Sequence, residues 1–393
     1  MEEDLEMKIP DSYAFFSQPK IISGSCALEN IPLELDALNA RKPLIIMASG
    51  GAKTGPGKKI VTAFKGSGVV IGAICDNISP DASLDMVYGI AQLFRDRGCD
   101  SIIAAGSGSV VDAAKVANIV ISTNTSDIAQ YAGENAVLEN NLKPLVAVPT
   151  GLSTGYEATD RARIGTYNFR SDYISPDVIV IDSRMIKFGD ADAPALSAMP
   201  ALTHAIEAFL SEKRNPMSDV YASTAMQLLH ENLAAAIKRL RNKKACLAVA
   251  NAAAMAGISF SNVQPGIIDT LAQAVADVTD FPIGVCMGIL LPYGMLYLRD
   301  QKVGIRSDLL MALSGLDIFA ETPDGQRTEK SIATIQQLVA AARGVVPGSF
   351  KELNIPNYKL KEIVRVASER SRAYSVHDYT LLLDKAWVGI QEQ

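Results

Sequence analysis

One stretch constrains the fold of this 393-residue chain more than any other, Gly106-Ser107-Gly108-Ser109-Val110-Val111-Asp112-Ala113-Ala114-Lys115. The apolar run Ser101-Ile102-Ile103-Ala104-Ala105 precedes it and Val116-Ala117-Asn118-Ile119-Val120-Ile121 follows, so the order reads strand, glycine-rich turn, helix. Glycine lets the backbone turn tightly and come close to a ligand. The helix behind the turn offers unpaired N–H groups and a positive dipole end, which suit a pyrophosphate. Ser107 and Ser109 add hydroxyl donors. Spacing alone leaves a second reading open, a plain strand-to-helix turn capped by serine, because no third glycine completes G-x-G-x-x-G. Asp112 falls in the first turn, where an acid suits the dipole with or without a ligand.

The rest of the first half has the same rhythm. Residues 19–28 read as a short strand with a turn at Gly24, and Lys42-Pro43-Leu44-Ile45-Ile46-Met47, closed by Ala48-Ser49-Gly50-Gly51, reads as a buried parallel strand. Val69-Val70-Ile71-Gly72-Ala73-Ile74 is a second such run. A helix is predicted over 83–98, with Met86, Ile90, Leu93 and Phe94 on one face, and strands recur at 146–148 and 178–181. This predicts a doubly wound α/β half with the glycine turn at the carboxyl end of a strand. Near residue 187 the character changes to long helical patterns, predicted over 196–211, 218–240, 244–263, 267–279 and 284–298, with more after 331. We therefore expect an α/β dinucleotide-binding domain over 1–187 and an all-helical domain over 188–393.

Hydrophobic residues make up 48% and charged residues 20%, the balance of a globular protein with substantial cores. A net charge of −6 argues against nucleic acid as a partner. The acidic start Met1-Glu2-Glu3-Asp4 lacks the basic and apolar parts of a signal peptide, and no uninterrupted apolar run approaches the roughly 18 residues that span a bilayer. Cys26, Cys75, Cys99, Cys246 and Cys286 form no CxxC pair, as expected of reduced thiols. The expectation is a cytoplasmic protein with no membrane association.

GSGSVVDAAK resembles the GGGSxxDxAK signature of the iron-containing (group III) alcohol dehydrogenase family, in the dehydroquinate-synthase-like superfamily. Pro149-Thr150-Gly151-Leu152-Ser153-Thr154-Gly155-Tyr156-Glu157 is similar to that family's PTTAGTGSE, with Thr150, Thr154, Gly155 and Glu157 matching. The resemblance implies a nucleotide-binding α/β domain, a helical metal-binding domain, an active site in the cleft between them, and a homo-oligomer. It also implies hydride transfer between NAD or NADP and a small-molecule alcohol, aldehyde or ketone. Gly106, Ser107, Gly108, Ser109, Asp112, Lys115, Thr150 and Thr154 would form the cofactor pocket. Ala48 stands where the family often has an aspartate that repels a 2′-phosphate, so NADP is expected to be accepted.

Ser197-Ala198-Met199-Pro200-Ala201-Leu202-Thr203-His204-Ala205-Ile206-Glu207 resembles TGMDALTHAIE, in which the aspartate and the histidine bind divalent iron or zinc. His204 is kept, but Pro200 replaces the aspartate. The family's GLVHALAHPLG corresponds to Gly266-Ile267-Ile268-Asp269-Thr270-Leu271-Ala272-Gln273, so one ligand histidine has become Asp269 and the histidine one turn on has become Gln273. The last ligand histidine has become Ile283. Of four ligand positions, only His204 and Asp269 carry a donor atom, fewer than the three that catalytic zinc takes. His204 and Asp269 are accordingly the candidate catalytic pair. Two rivals to a metal dehydrogenase follow, a metal-independent carbonyl reductase and a non-catalytic NAD(P)-binding pseudoenzyme. Arg161, Arg163 and Arg170 are the candidates to meet an anionic substrate. His230 reads as a surface residue and His377 as part of a helix start after a Ser375 capping box.

Overall fold

The computed structural model describes residues 9–17, 19–53, 55–80, 82–134, 136, 142–186, 193–239, 242–302, 304–342 and 344–389. Two compact units emerge, Phe16–Gly189 and Asp190–Gln393 together with Met1–Phe15. The expected boundary at 187/188 lies outside the described residues.

The first unit is built on strands β1 (Lys20–Gly24), β2 (Pro43–Ala48), β3 (Ala73–Ile78), β4 (Ser101–Gly106), β5 (Gly133–Glu134), β6 (Leu145–Pro149), β7 (Arg161–Ile164), β8 (Tyr167–Arg170) and β9 (Val178–Asp182). Six form one parallel sheet in the order β1-β9-β6-β4-β2-β3. Helices α1 (Ile31–Ala37), α2 (Gly55–Ala63), α3 (Leu84–Asp96) and α4 (Gly108–Thr123) cover it. Alternate residues feed two separate cores: Ile46, Ile102 and Ala104 join Val87, Phe94 and Val116 on one face, while Ile45, Ile103 and Val148 join Leu28, Ile31 and Ile60 on the other. Burial on both faces is why these strands read as unbroken apolar runs.

Strand β3 begins four residues later than the apolar run at 69–74 suggests. Gly72 lies so close to Cys99 that a Cβ there would sit 2.7 Å from its Sγ, and regular pairing with β2 starts only beyond it, at Ala73 opposite Leu44. The strand then runs into the polar Asp76-Asn77 at the sheet edge, where apolar periodicity gives no signal. A second feature the periodicity left out is the antiparallel hairpin of β7 and β8, with β5 alongside. Its mark is alternation on both sides of the Gly165-Thr166 turn, with Ala162, Ile164 and Phe169 buried.

The second unit is helical: α5 (Ala193–Leu210), α6 (Pro216–Lys238), α7 (Lys243–Ser261), α8 (Ile267–Thr279), α9 (Ile283–Asp300), α10 (Leu309–Ser314), α11 (Leu316–Glu321), α12 (Asp324–Ala340), α13 (Tyr358–Arg370) and α14 (Val376–Val388). Helix α7 is long and apolar enough to cross a membrane by length and composition, yet 67% of its most apolar window is buried, against α5 and α6. Ser375 and Asp378 close the expected capping box on α14, and His377 is exposed beside them. His230 is half-buried on α6.

Pro200 lies well inside α5 rather than in a first turn. With no N–H at 200, the Leu196 carbonyl loses its helical donor. That carbonyl abuts α9, where a Cβ on Gly284 would stand 2.1 Å from the Leu196 oxygen. Two backbones thus touch at a point only glycine permits. Gly284→Ala is expected to destabilise the protein by about 1–3 kcal/mol through overpacking against an unyielding main chain, read as a lower urea midpoint at unchanged m-value.

Candidate cofactor site and the His204 cluster

After β1, the chain lays down strands in the spatial order β3-β2-β4-β6-β9, so the direction of winding reverses between β2 and β4. Ligands in such sheets bind in the crevice that this reversal leaves at the carboxyl ends. Those ends carry Ala48, exposed at the close of β2, and the glycine turn at the close of β4. Gly106 is tied to the neighbouring loop by register with Pro149 and by a hydrogen bond from Thr150 N to its carbonyl, 3.2 Å. A Cβ at Gly106 would lie 2.6 Å from Val110, so glycine here brings the turn down onto its own helix.

Gly108 is different. The space beside it is open, with Thr154 Oγ1 4.0 Å from its Cβ position as the nearest contact. Ser107 has extended backbone, and its hydroxyl takes no part in capping α4. The first-turn N–H groups of α4, at Gly108 and Ser109, have no helical partner by construction. These features fit a dinucleotide: an uncapped helix N-terminus, a glycine with room before it, and threonines from a second loop.

Beneath the turn lies a buried polar cluster. Lys115 is fully buried, and its ammonium donates to the carbonyls of Thr159 (2.7 Å), Tyr156 (2.9 Å) and Arg161 (2.9 Å). All three protons are engaged, so Lys115 acts on the pocket by holding the 156–161 segment against α4. Burial pulls this ammonium down to about 8, opposed by the Asp112, Asp160 and Glu157 carboxylates. Ser153 donates to Glu157, whose carboxyl burial pushes up. Asp112, expected in the first turn, is the fifth residue of α4 and lies beyond it, and one of its carboxylate oxygens, Oδ1, is buried without a partner among the described residues. Burial pushes its carboxyl up to about 6, against the pull of Lys115. Arg161 and Arg170 are engaged by Asp160, at 3.3 and 2.9 Å, and Arg170 also by Glu134 at 3.1 Å.

In the helical unit, His204 on α5 and Asp269 on α8 meet, Nε2 lying 3.3 Å from Oδ1. The His204 ring is fully buried and stacks on Phe260 with centroids 4.0 Å apart. Glu207, one turn further along α5, caps α8: its Oε1 accepts from Ile268 N (2.7 Å) and its Oε2 from Asp269 N (3.2 Å). Burial, with the Asp269 carboxylate second, pushes Glu207 up to about 8. Gln273 Nε2 donates to both oxygens of Asp269 at 3.1 Å. Its Oε1 accepts from Arg370 Nη1 at 3.0 Å, and Arg370 also pairs with Asp277. Sequence reading noted Gln273 only as a lost histidine, because Arg370 lies 97 residues away and no local pattern links them.

A parallel sheet with a glycine turn at its reversal point, followed by a separate helical unit, defines the class: an α/β unit of the doubly wound kind joined in sequence to an all-helical one. Comparison with known proteins narrows this. The family model for iron-containing alcohol dehydrogenase matches residues 18–183, and that for the C-terminal part of the Fe-containing alcohol dehydrogenase family matches 194–381. The 1,3-propanediol dehydrogenase of Citrobacter freundii is 30% identical over 364 residues, which cover 90% of this chain and 91% of that one. The NAD-dependent methanol dehydrogenase of Bacillus methanolicus is 29% identical over 285 residues, 71% of this chain and 74% of the other. A crystal structure of a 1,3-propanediol oxidoreductase superposes with a TM-score of 0.88 at 25% identity, covering 96% and 100% of the two chains. The chain belongs to the iron-containing alcohol dehydrogenase family, and its class of activity is NAD(P)-dependent alcohol–aldehyde oxidoreduction.

The family's metal does not fit the residues present. Pro200 and Ile283 have no ligand atom, and among the described residues no group of three or more His, Cys, Asp or Glu side chains is placed to hold an ion. Iron and zinc sites need at least that many.

Asp112 supplies a test of the buried cluster. Its folded pKa, about 6, lies above the ordinary value of 3.8, so the native state binds more protons between the two. Stability should therefore fall as pH rises from about 4 to 6, by up to roughly 3 kcal/mol. Asp112→Asn should flatten that slope in urea melts at pH 4, 5, 6 and 7.

Proposed function

We propose that this protein interconverts a small alcohol and its aldehyde or ketone, with NAD(P) held on the β4–α4 turn. What carries the reading is the convergence of two separate segments, Gly106–Ser109 and Thr150–Thr154, around the open face of Gly108 at the sheet's reversal point. The pyrophosphate is assigned to the N–H groups of Gly108 and Ser109 with the Ser107 hydroxyl, and Thr154 to the same pocket. Asp112, with an oxygen unpaired among the described residues, is assigned to a cofactor donor. Lys115 positions the loop that carries Thr150 and Thr154. The bound nicotinamide supplies or accepts the hydride.

His204, oriented by Asp269, is the side chain we assign to the substrate oxygen, with Asp269 fixing the ring. Since the ring is covered in the free protein, substrate entry has to uncover it. Ala48 offers no carboxylate to repel a 2′-phosphate, which supports use of NADPH. The acidic balance supports a small-molecule partner rather than a nucleic acid, and the thiols support a reducing, cytoplasmic setting.

The test is a fluorescence titration with NADPH and NADH, followed by turnover on a panel of short alcohols and aldehydes. Gly108→Val fills the open space and should weaken cofactor binding at least tenfold while Tm stays within a few degrees. Unchanged affinity would sink the placement. Ala48→Asp should shift preference toward NADH by about tenfold or more, read as the ratio of the two Kd values. Binding without turnover on any substrate would leave the pseudoenzyme reading in its place.

A further inference from the structure

We infer that the helical site operates without the family's metal, and that a hydrogen-bonded chain from His204 to Asp277 occupies its place. The inference deepens the function proposed above and rests on it for the identity of the site.

Three observations carry it, none of them the mere loss of a ligand. The donors that remain are already committed. Asp269 Oδ1 faces His204 Nε2 at 3.3 Å and Gln273 Nε2 at 3.1 Å, and Oδ2 accepts from the same amide at 3.1 Å. Glu207 directs both oxygens to the N–H groups that open α8. It can do so because position 266 is glycine: a Cβ there would lie 2.2 Å from Oε1.

The orientation of Gln273 is the second observation. Its oxygen is taken by Arg370, which turns the NH2 group toward Asp269. A metal position needs lone pairs aimed inward, and this amide aims hydrogens. Thirdly, the chain carries a permanent cation. Arg370 cannot lose its charge and is held there by Asp277, so a divalent ion at Asp269 would face a fixed like charge one side chain away.

The measurement is metal content and thermal shift on the full chain, purified from medium supplied with iron and zinc. The expected result is less than a tenth of an equivalent of either metal and a Tm unmoved by 1 mM Zn²⁺ or Fe²⁺. A native-state ligand of micromolar affinity would raise Tm by several degrees at that concentration. Near-equimolar metal, or such a shift, overturns the inference. A second variant tests the chain itself: Gln273→His with Arg370→Gln supplies a third donor and removes the cation. It should gain a zinc-dependent Tm shift that the parent lacks. If parent and variant both stay metal-free, the chain is not what excludes the ion, and that half of the inference fails. An NADPH titration on the same samples keeps the two readings apart, since loss of cofactor binding counts against the proposed function and leaves the metal result standing.

Discussion

Lys115 is the interaction on which the cofactor half depends. An ammonium buried to zero exposure is costly unless every proton finds an acceptor, and here the acceptors are three main-chain carbonyls from one short segment. The arrangement converts a charge into a staple. Helix α4 presents its N-terminus at the sheet's reversal point, and the same helix, two turns later, grips the end of the loop that returns from β6. The positions of the glycine turn and of Thr150–Thr154 are thereby linked through one side chain. Disturbing either end of α4 disturbs both segments.

The helical unit solves a similar problem with a carboxylate. Glu207 is buried on α5 yet sits at the start of α8, where the dipole and free N–H groups favour negative charge. Gly266 makes the approach possible, because any side chain at that position would collide with the carboxylate. The contact fixes where α8 begins relative to α5, and so sets Asp269 opposite His204. A cap has become the spacer of the His204–Asp269 pair.

These relations divide into those a sequence displays and those it hides. The glycine turn, the apolar strands and the limits of α8 were legible because each rests on neighbours within a few residues, where periodicity and glycine placement speak directly. Strand β3 was misplaced by four residues because its second half is polar and lies at an edge. Pro200 interrupts the hydrogen bonding of α5, yet the helix runs through it, and the compensation is tertiary: the carbonyl it frees rests against Gly284 of another helix. The motif comparison marked Gln273 and Asp269 as departures from a metal-binding pattern. It gave no hint of what replaced the pattern, since Arg370 arrives from the end of α13. A motif records what has been lost, and only the fold shows what has taken its place.

The replacement changes the sign of the site. The family's ligands, one aspartate and three histidines around a divalent ion, sum to a net charge of +1, which favours a negative oxygen on the substrate. Here Asp269 and Asp277 are balanced by Arg370 alone, with Glu207 pushed toward its neutral form, so the cluster sums to −1 when His204 is neutral. A negative, partly desolvated environment disfavours an alkoxide and favours a protonated oxygen. The demand on such a site moves from stabilising charge to delivering and removing a proton in step with the hydride. In the proposed function His204 backed by Asp269 meets this demand, and the amide of Gln273, turned by Arg370, keeps Asp269 aligned.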